Sequence, residues 1–136
     1  MKKDKYPLPR AIVFDDTAAL ALGAGNRMAS RLVVEAENDP TLRIYIPAMC
    51  LVVAESDRAG VAEHVGALPS VDITALDFVG AAAVGKRLRV HGDDWSGAHA
   101  LHLAYPSVEW PRGRPVLTRD AARYRGTGVR VVPIEE

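Results

Sequence analysis

Cysteine is all but missing from this chain: Cys50 stands alone among 136 residues. One thiol excludes an intrachain disulfide and a thiolate zinc site. Its neighbours Met49, Leu51, Val52 and Val53 are apolar, which makes Cys50 a small core hydrophobe. Long hydrophobic runs are also absent, none nearing the ~18–20 residues that span a bilayer. Met1-Lys-Lys-Asp-Lys has no apolar signal-peptide core, so a cytoplasmic protein with no membrane partner is expected. Net charge is missing too. Seventeen basic and seventeen acidic residues cancel, so overall charge does not announce a nucleic-acid binder. Gly23-Ala24-Gly25 follows a helical stretch and lacks a third glycine, so it is no dinucleotide fingerprint. No serine-centred nucleophile elbow occurs.

What is present describes one soluble globular domain over residues 1–136, 49% hydrophobic and 25% charged, long enough for a single good core. The charges are unevenly spread. Acids collect early (Glu35, Glu37, Asp39, Glu55, Asp57, Glu63) and arginines late (Arg112, Arg114, Arg119, Arg123, Arg125, Arg130). That asymmetry suits an acidic metal pocket beside a phosphate-contacting rim.

Ala11 to Phe14 is apolar on both faces and reads as a buried parallel strand. Helices are expected over Thr17–Leu22 and Arg27–Glu37, the second capped by Asn26. Leu42–Ile46 alternates as a strand. Pro47 opens a helix over Ala48–Arg58, and a shorter one follows at Val61–Leu68. Val71–Ile73 is a short strand. Thr74 caps a helix over Ala75–Leu88, with Leu76, Val79, Ala83 and Val84 facing inward. Trp95–Ala104 is helical, Pro115–Thr118 a strand, Ala121–Tyr124 a helical turn and Val129–Pro133 the last strand. Strands alternating with helices predict right-handed crossovers and a three-layer α/β/α sandwich around a mostly parallel sheet.

Three acidic positions follow this pattern. Asp15 and Asp16 end the first strand, Asp120 ends the fourth, and Glu55 lies two turns into the helix after Pro47. Open α/β sheets bind ligands at the carboxyl ends of their strands. Acids converging there tolerate burial only with a cation or donors to compensate them. Hard oxygen ligands without cysteine favour Mg²⁺ or Mn²⁺, and with such an ion the expected chemistry is water activation and attack on a phosphodiester. Taken singly, each acid has a plainer reading as a helix cap or a surface ion pair.

These segments resemble the PIN domain, specifically the small VapC-type toxin ribonucleases. Ile12-Val-Phe-Asp-Asp-Thr-Ala-Ala-Leu20 is similar to the family's opening strand, Ile46-Pro-Ala-Met-Cys-Leu-Val-Val-Ala-Glu55 to its second motif, and Val116-Leu-Thr-Arg-Asp-Ala-Ala-Arg-Tyr124 to its fourth. The resemblance implies a metal-dependent endoribonuclease of a toxin–antitoxin pair, with Asp15, Glu55 and Asp120 catalytic. It implies Mg²⁺ or Mn²⁺ held by Asp15, Asp16, Glu55, Asp94 and Asp120. Either Asp15 or Asp16 fits the family's first aspartate; Asp15 leaves Thr17 in the hydroxyl position. Thr17, Thr118 and His99 would orient ligands or water, and Arg112, Arg114 and Arg119 would contact RNA. A small antitoxin and a second copy in a homodimer are the implied partners. The chain departs from the pattern at the third motif, where His99 stands in place of an aspartate and brings no negative charge. Asp93 and Asp94, at the start of that helix, either replace the ligand or cap the helix. The alternative implied by His99 is a catalytically degenerate PIN fold that binds RNA or a partner. A receiver-like phosphoacceptor fits poorly, because Val129-Arg-Val-Val132 lacks the late lysine.

Overall fold

The apolar run after Arg10 becomes the middle strand of the molecule. A computed structural model describes residues 10–135; the amino-terminal stretch on which the expectation about a signal peptide rests lies outside them. The strands are β1 (Arg10–Phe14), β2 (Leu42–Pro47), β3 (Val71–Thr74), β4 (Val116–Thr118) and β5 (Val131–Pro133). They form one sheet in the order β3-β2-β1-β4-β5, and every pairing is parallel. Helices flank the sheet, giving the α/β/α sandwich expected from the alternation of elements. Because β1 is central it is covered on both faces, and Val13 and Phe14 are fully buried. Ile44, Ile46, Val116 and Leu117 complete the dry centre from the neighbouring strands.

Helix starts follow local side-chain chemistry. Asp15 caps α1 (Asp16–Gly23) by accepting from the Ala18 amide at 3.0 Å. Asn26 caps α2 (Arg27–Asn38) through the Ala29 amide, also at 3.0 Å. Next come α3 (Ala48–Asp57) and α4 (Val61–Gly66). Asp94 caps α6 (Trp95–Ala104), its Oδ1 lying 2.6 Å from the Gly97 amide.

One helix departs from expectation. It begins not after Thr74 but at Phe78, so α5 is Phe78–His91, capped by Asp77 through the Gly80 amide at 2.7 Å. Thr74 is used by the sheet instead, where it pairs with Pro47. The late start places Leu76 before the helix and re-aims its faces. Gly80 and Val84 are buried, whereas Val79 and Ala83, expected inside, are exposed.

At the entry to β4, Gly113 takes φ +71° and its Cα lies against the Ala104 carbonyl, so a side chain there would strike backbone.

Leu117→Ala removes a fully buried side chain from β4 beside the central strand. It is expected to cost roughly 2–5 kcal/mol, seen as a lower urea midpoint at unchanged slope. A loss below about 1 kcal/mol would contradict this packing.

Candidate functional site

A parallel sheet puts every strand's carboxyl end on one edge, and the acids that end β1 and β4 meet there. Asp15 is completely buried and Asp16 nearly so. Each lone-pair direction of the Asp15 carboxylate is taken. Oδ1 accepts from the Thr17 hydroxyl at 2.7 Å and the Ala18 amide at 3.0 Å; Oδ2 accepts from the Tyr124 hydroxyl at 2.6 Å and from Arg123 at 3.3 Å. Burial, with the Asp15 charge beside it, holds the Tyr124 phenol well above its ordinary value, so it is a permanent donor.

Arg123 stands at the centre of the acids. Its Nη1 and Nη2 reach the two Asp16 oxygens at 2.5 and 3.2 Å, a bidentate pair. Asp94 lies 3.6 Å from Nη2 and Asp120 3.9 Å from Nε. Burial alone would weaken the guanidinium's hold on its proton, but the hydrogen bonds and charges of Asp16 and Tyr124 together more than offset it, and Arg123 stays cationic. One guanidinium is therefore paired with four carboxylates from three places in the chain, the Asp15–Asp16 pair, Asp94 and Asp120. Asp15 and Asp16 are buried, while Asp94 and Asp120 keep about half of their side-chain surface in solvent.

The threonines read from the sequence tie the two strand ends together. Thr17 Oγ1 donates to Asp15 and accepts from the Arg119 amide at 2.8 Å, with Thr118 Oγ1 at 3.2 Å. Thr118 Oγ1 in turn accepts from the Asp120 amide at 2.9 Å. Both hydroxyls orient this edge.

Other expected site residues lie elsewhere. Glu55 does not join the aspartates. Its two carboxylate oxygens accept from the Gly60 and Ala62 amides at 3.1 and 2.9 Å, closing the turn between α3 and α4. Its place two turns into α3 carries it to the helix end, where free amides of α4 are the nearest donors. Arg112 and Arg114 precede β4 and so sit at the opposite end of the sheet from the acids. Arg114 donates from Nε to the Leu103 carbonyl at 2.6 Å and lies over the rings of Tyr45 and Trp110. Of the three arginines expected to touch RNA, only Arg119 is at the acidic edge. A groove of about 640 Å³, lined by residues including Arg10, Leu42, Trp110 and Arg112, also lies at the far end.

His99 is fully buried on α6, and its Nδ1 accepts from the Met49 amide at 3.3 Å. Nδ1 is thus the bare nitrogen, and Nε2 finds no partner among the described residues. The charged groups it feels are His102 and Asp77, not the four aspartates. It fastens α6 to the start of α3, as does Cys50, whose Sγ donates to the Ser96 carbonyl at 3.2 Å. Burial pushes the Cys50 thiol well up, with Asp15 and Asp16 adding to the effect.

A divalent ion fits these residues poorly as they stand. Asp15 has no lone pair left for it, Asp16 is chelated by Arg123, and Glu55 is committed to backbone amides. Tyr124 and Arg123 are the residues that sequence reasoning passed over. Their signal was the Asp120-x-x-Arg123 spacing, which sets an acid and a base on one side of a helical turn.

Tyr124→Phe takes one donor from a buried carboxylate and should destabilise the fold by roughly 1–3 kcal/mol; denaturation indistinguishable from wild type would contradict the assignment. His99 titrates at about 4, pushed down by burial and then by His102. Its folded value lies below the unfolded ~6.5, so the unfolded chain binds the extra proton. Stability should fall as pH drops from about 6.5 toward 4. His99→Gln should flatten that part of the profile, and an unchanged slope would remove His99 as its source.

No protein-family model matches this chain, and no curated protein does either.

Proposed function

We propose that this chain is a PIN-like domain in which a guanidinium of its own holds the position a divalent ion would take, and that it acts by binding a protein partner rather than by cleaving RNA. The observation that carries the reading is Arg123, bidentate on Asp16 and in contact with Asp15, beside an Asp15 whose acceptor positions are filled. Three further placements support it. Glu55 is turned to backbone amides, His99 adds no charge, and Arg114 is stacked on aromatics at the other end of the sheet.

One observation favours the metal-dependent endoribonuclease of toxin type instead: four carboxylates against one guanidinium leave this edge negative. On that reading Arg123 moves out, and Asp15, Asp16, Asp94 and Asp120, without Glu55, hold Mg²⁺ or Mn²⁺. The ion would supply the activated water, and a small antitoxin would cover the cleft. The donors present fit that arrangement less well.

Calorimetric titration with Mn²⁺, together with a cleavage assay on structured RNA, separates the two. The expected result is no saturable heat up to millimolar Mn²⁺ and no cleavage above that of an Asp15→Asn, Asp120→Asn double variant. Stoichiometric Mn²⁺ binding with cleavage abolished in that variant would overturn the proposal in favour of the nuclease.

A further inference from the structure

The two ends of the sheet carry opposite charge. Four carboxylates share one guanidinium where the strands exit. At the entry end the excess is of arginine. The groove of about 640 Å³ there is lined by apolar Ile12, Leu42 and Trp110, and by Arg10, Arg112 and Arg130 against one acid, Glu109. A second cavity, of about 120 Å³, shares Arg112 and Arg130 with the groove and adds Arg114. No acid is among the described residues that line it.

These arginines are not equally occupied. Arg10 is paired with Glu35 and Asp39. Among the described residues, Arg112, Arg114 and Arg130 have no carboxylate partner. Arg114 donates to the Leu103 carbonyl and Arg130 to the Gly113 carbonyl at 3.2 Å, while the Arg112 guanidinium meets no acceptor. Guanidinium groups stay charged at any working pH, and like charges around one small cavity repel. An anion seated among them removes that cost, and the arginine fork matches the paired oxygens of a carboxylate or phosphate.

We propose that this end of the sheet binds a small anionic amphiphile. Arg112 and Arg130, common to both cavities, hold its carboxylate or phosphate head, and the groove takes an apolar body. The groove has the volume of a small-molecule site, and its lining is apolar with a few charged groups to fix orientation. A nucleic-acid strand would want its cations spread along the backbone path. Here three converge on a cavity of about 120 Å³ beside apolar surface, which suits one head on one body. The inference rests neither on a metal at the carboxylate edge nor on the partner-binding reading.

Naphthyl phosphate and naphthoate are suitable probes, followed by NMR of the tryptophan indole N–H groups. The chain has two tryptophans. Trp110 lines the groove, whereas Trp95 opens α6 beside Asp94 at the other edge. Titration should move the Trp110 signal, leave that of Trp95 still, and saturate with a Kd on the order of 10–100 μM. The probe bound more tightly tells whether a phosphate or a carboxylate head is preferred, and either supports the site. Naphthol, lacking the anion, and inorganic phosphate, lacking the body, should each bind at least about 10-fold more weakly. Arg112→Glu should weaken binding roughly 100-fold, Arg112→Lys less than about 10-fold. Arg89→Gln, exposed on α5, should have no effect. Arg112 is exposed, so thermal unfolding should be unchanged in its variants. No saturable shift at Trp110 with either probe up to millimolar concentration, or a shift that survives Arg112→Glu, would overturn the proposal. So would a short single-stranded RNA that displaces naphthyl phosphate at submicromolar concentration in about 0.15 M salt, which would make these arginines a nucleic-acid contact instead.

Discussion

The Arg123 guanidinium is the constraint on which this end of the molecule depends. Two adjacent carboxylates at the end of a central strand, one wholly buried, cannot coexist there uncompensated. Compensation comes from inside the chain: the Asp16 chelate, the Tyr124 hydroxyl, the Thr17 hydroxyl and the Ala18 amide. These donors come from β1's own exit and from the turn after β4. The same bonds that neutralise the acids therefore hold two strand ends at fixed separation. Charge neutralisation and strand registration are one interaction here.

That arrangement explains why an acid-rich edge need not be a metal centre. A carboxylate offers about four acceptor directions, and Asp15 has spent all of them within the protein. An ion would have to displace the Tyr124 or Arg123 donor and then match what it had removed. The buried pair is also costly to break from one side, because removing the cation strands two carboxylates. The outer aspartates, Asp94 and Asp120, are half in water and add longer-range attraction that solvent weakens.

Most of the architecture was legible because periodicity and capping are local. Ala11–Phe14, Leu42–Ile46 and Trp95–Ala104 needed only hydrophobic pattern and a polar residue at the right offset. The start of α5 was misread because Thr74 and Asp77 both qualify as caps, and the choice between them was made by β3 pairing with β2, which no local pattern reports. The candidate site divided in the same way. Asp15, Thr17, Thr118 and Asp120 sit on strand ends, so topology alone brings them together. Glu55 depends on which way a helix is rotated, and its free neighbours were amides rather than aspartates. Arg112 and Arg114 could have been placed correctly from topology, since a loop that enters a parallel strand cannot share the edge where strands exit. Arg123 was visible in the sequence, but its role emerges only when residues 15, 16, 94 and 120 are brought to one place.

The most direct test of this account is a double-mutant cycle between Asp16 and Arg123, with Asp16→Asn and Arg123→Gln alone and together, read by chemical denaturation. A buried bidentate pair predicts that the double variant loses less than the sum of the singles, with a coupling of roughly 1–3 kcal/mol. Additivity to within about 0.5 kcal/mol would contradict it, and would mean that something other than Arg123 keeps those carboxylates in place.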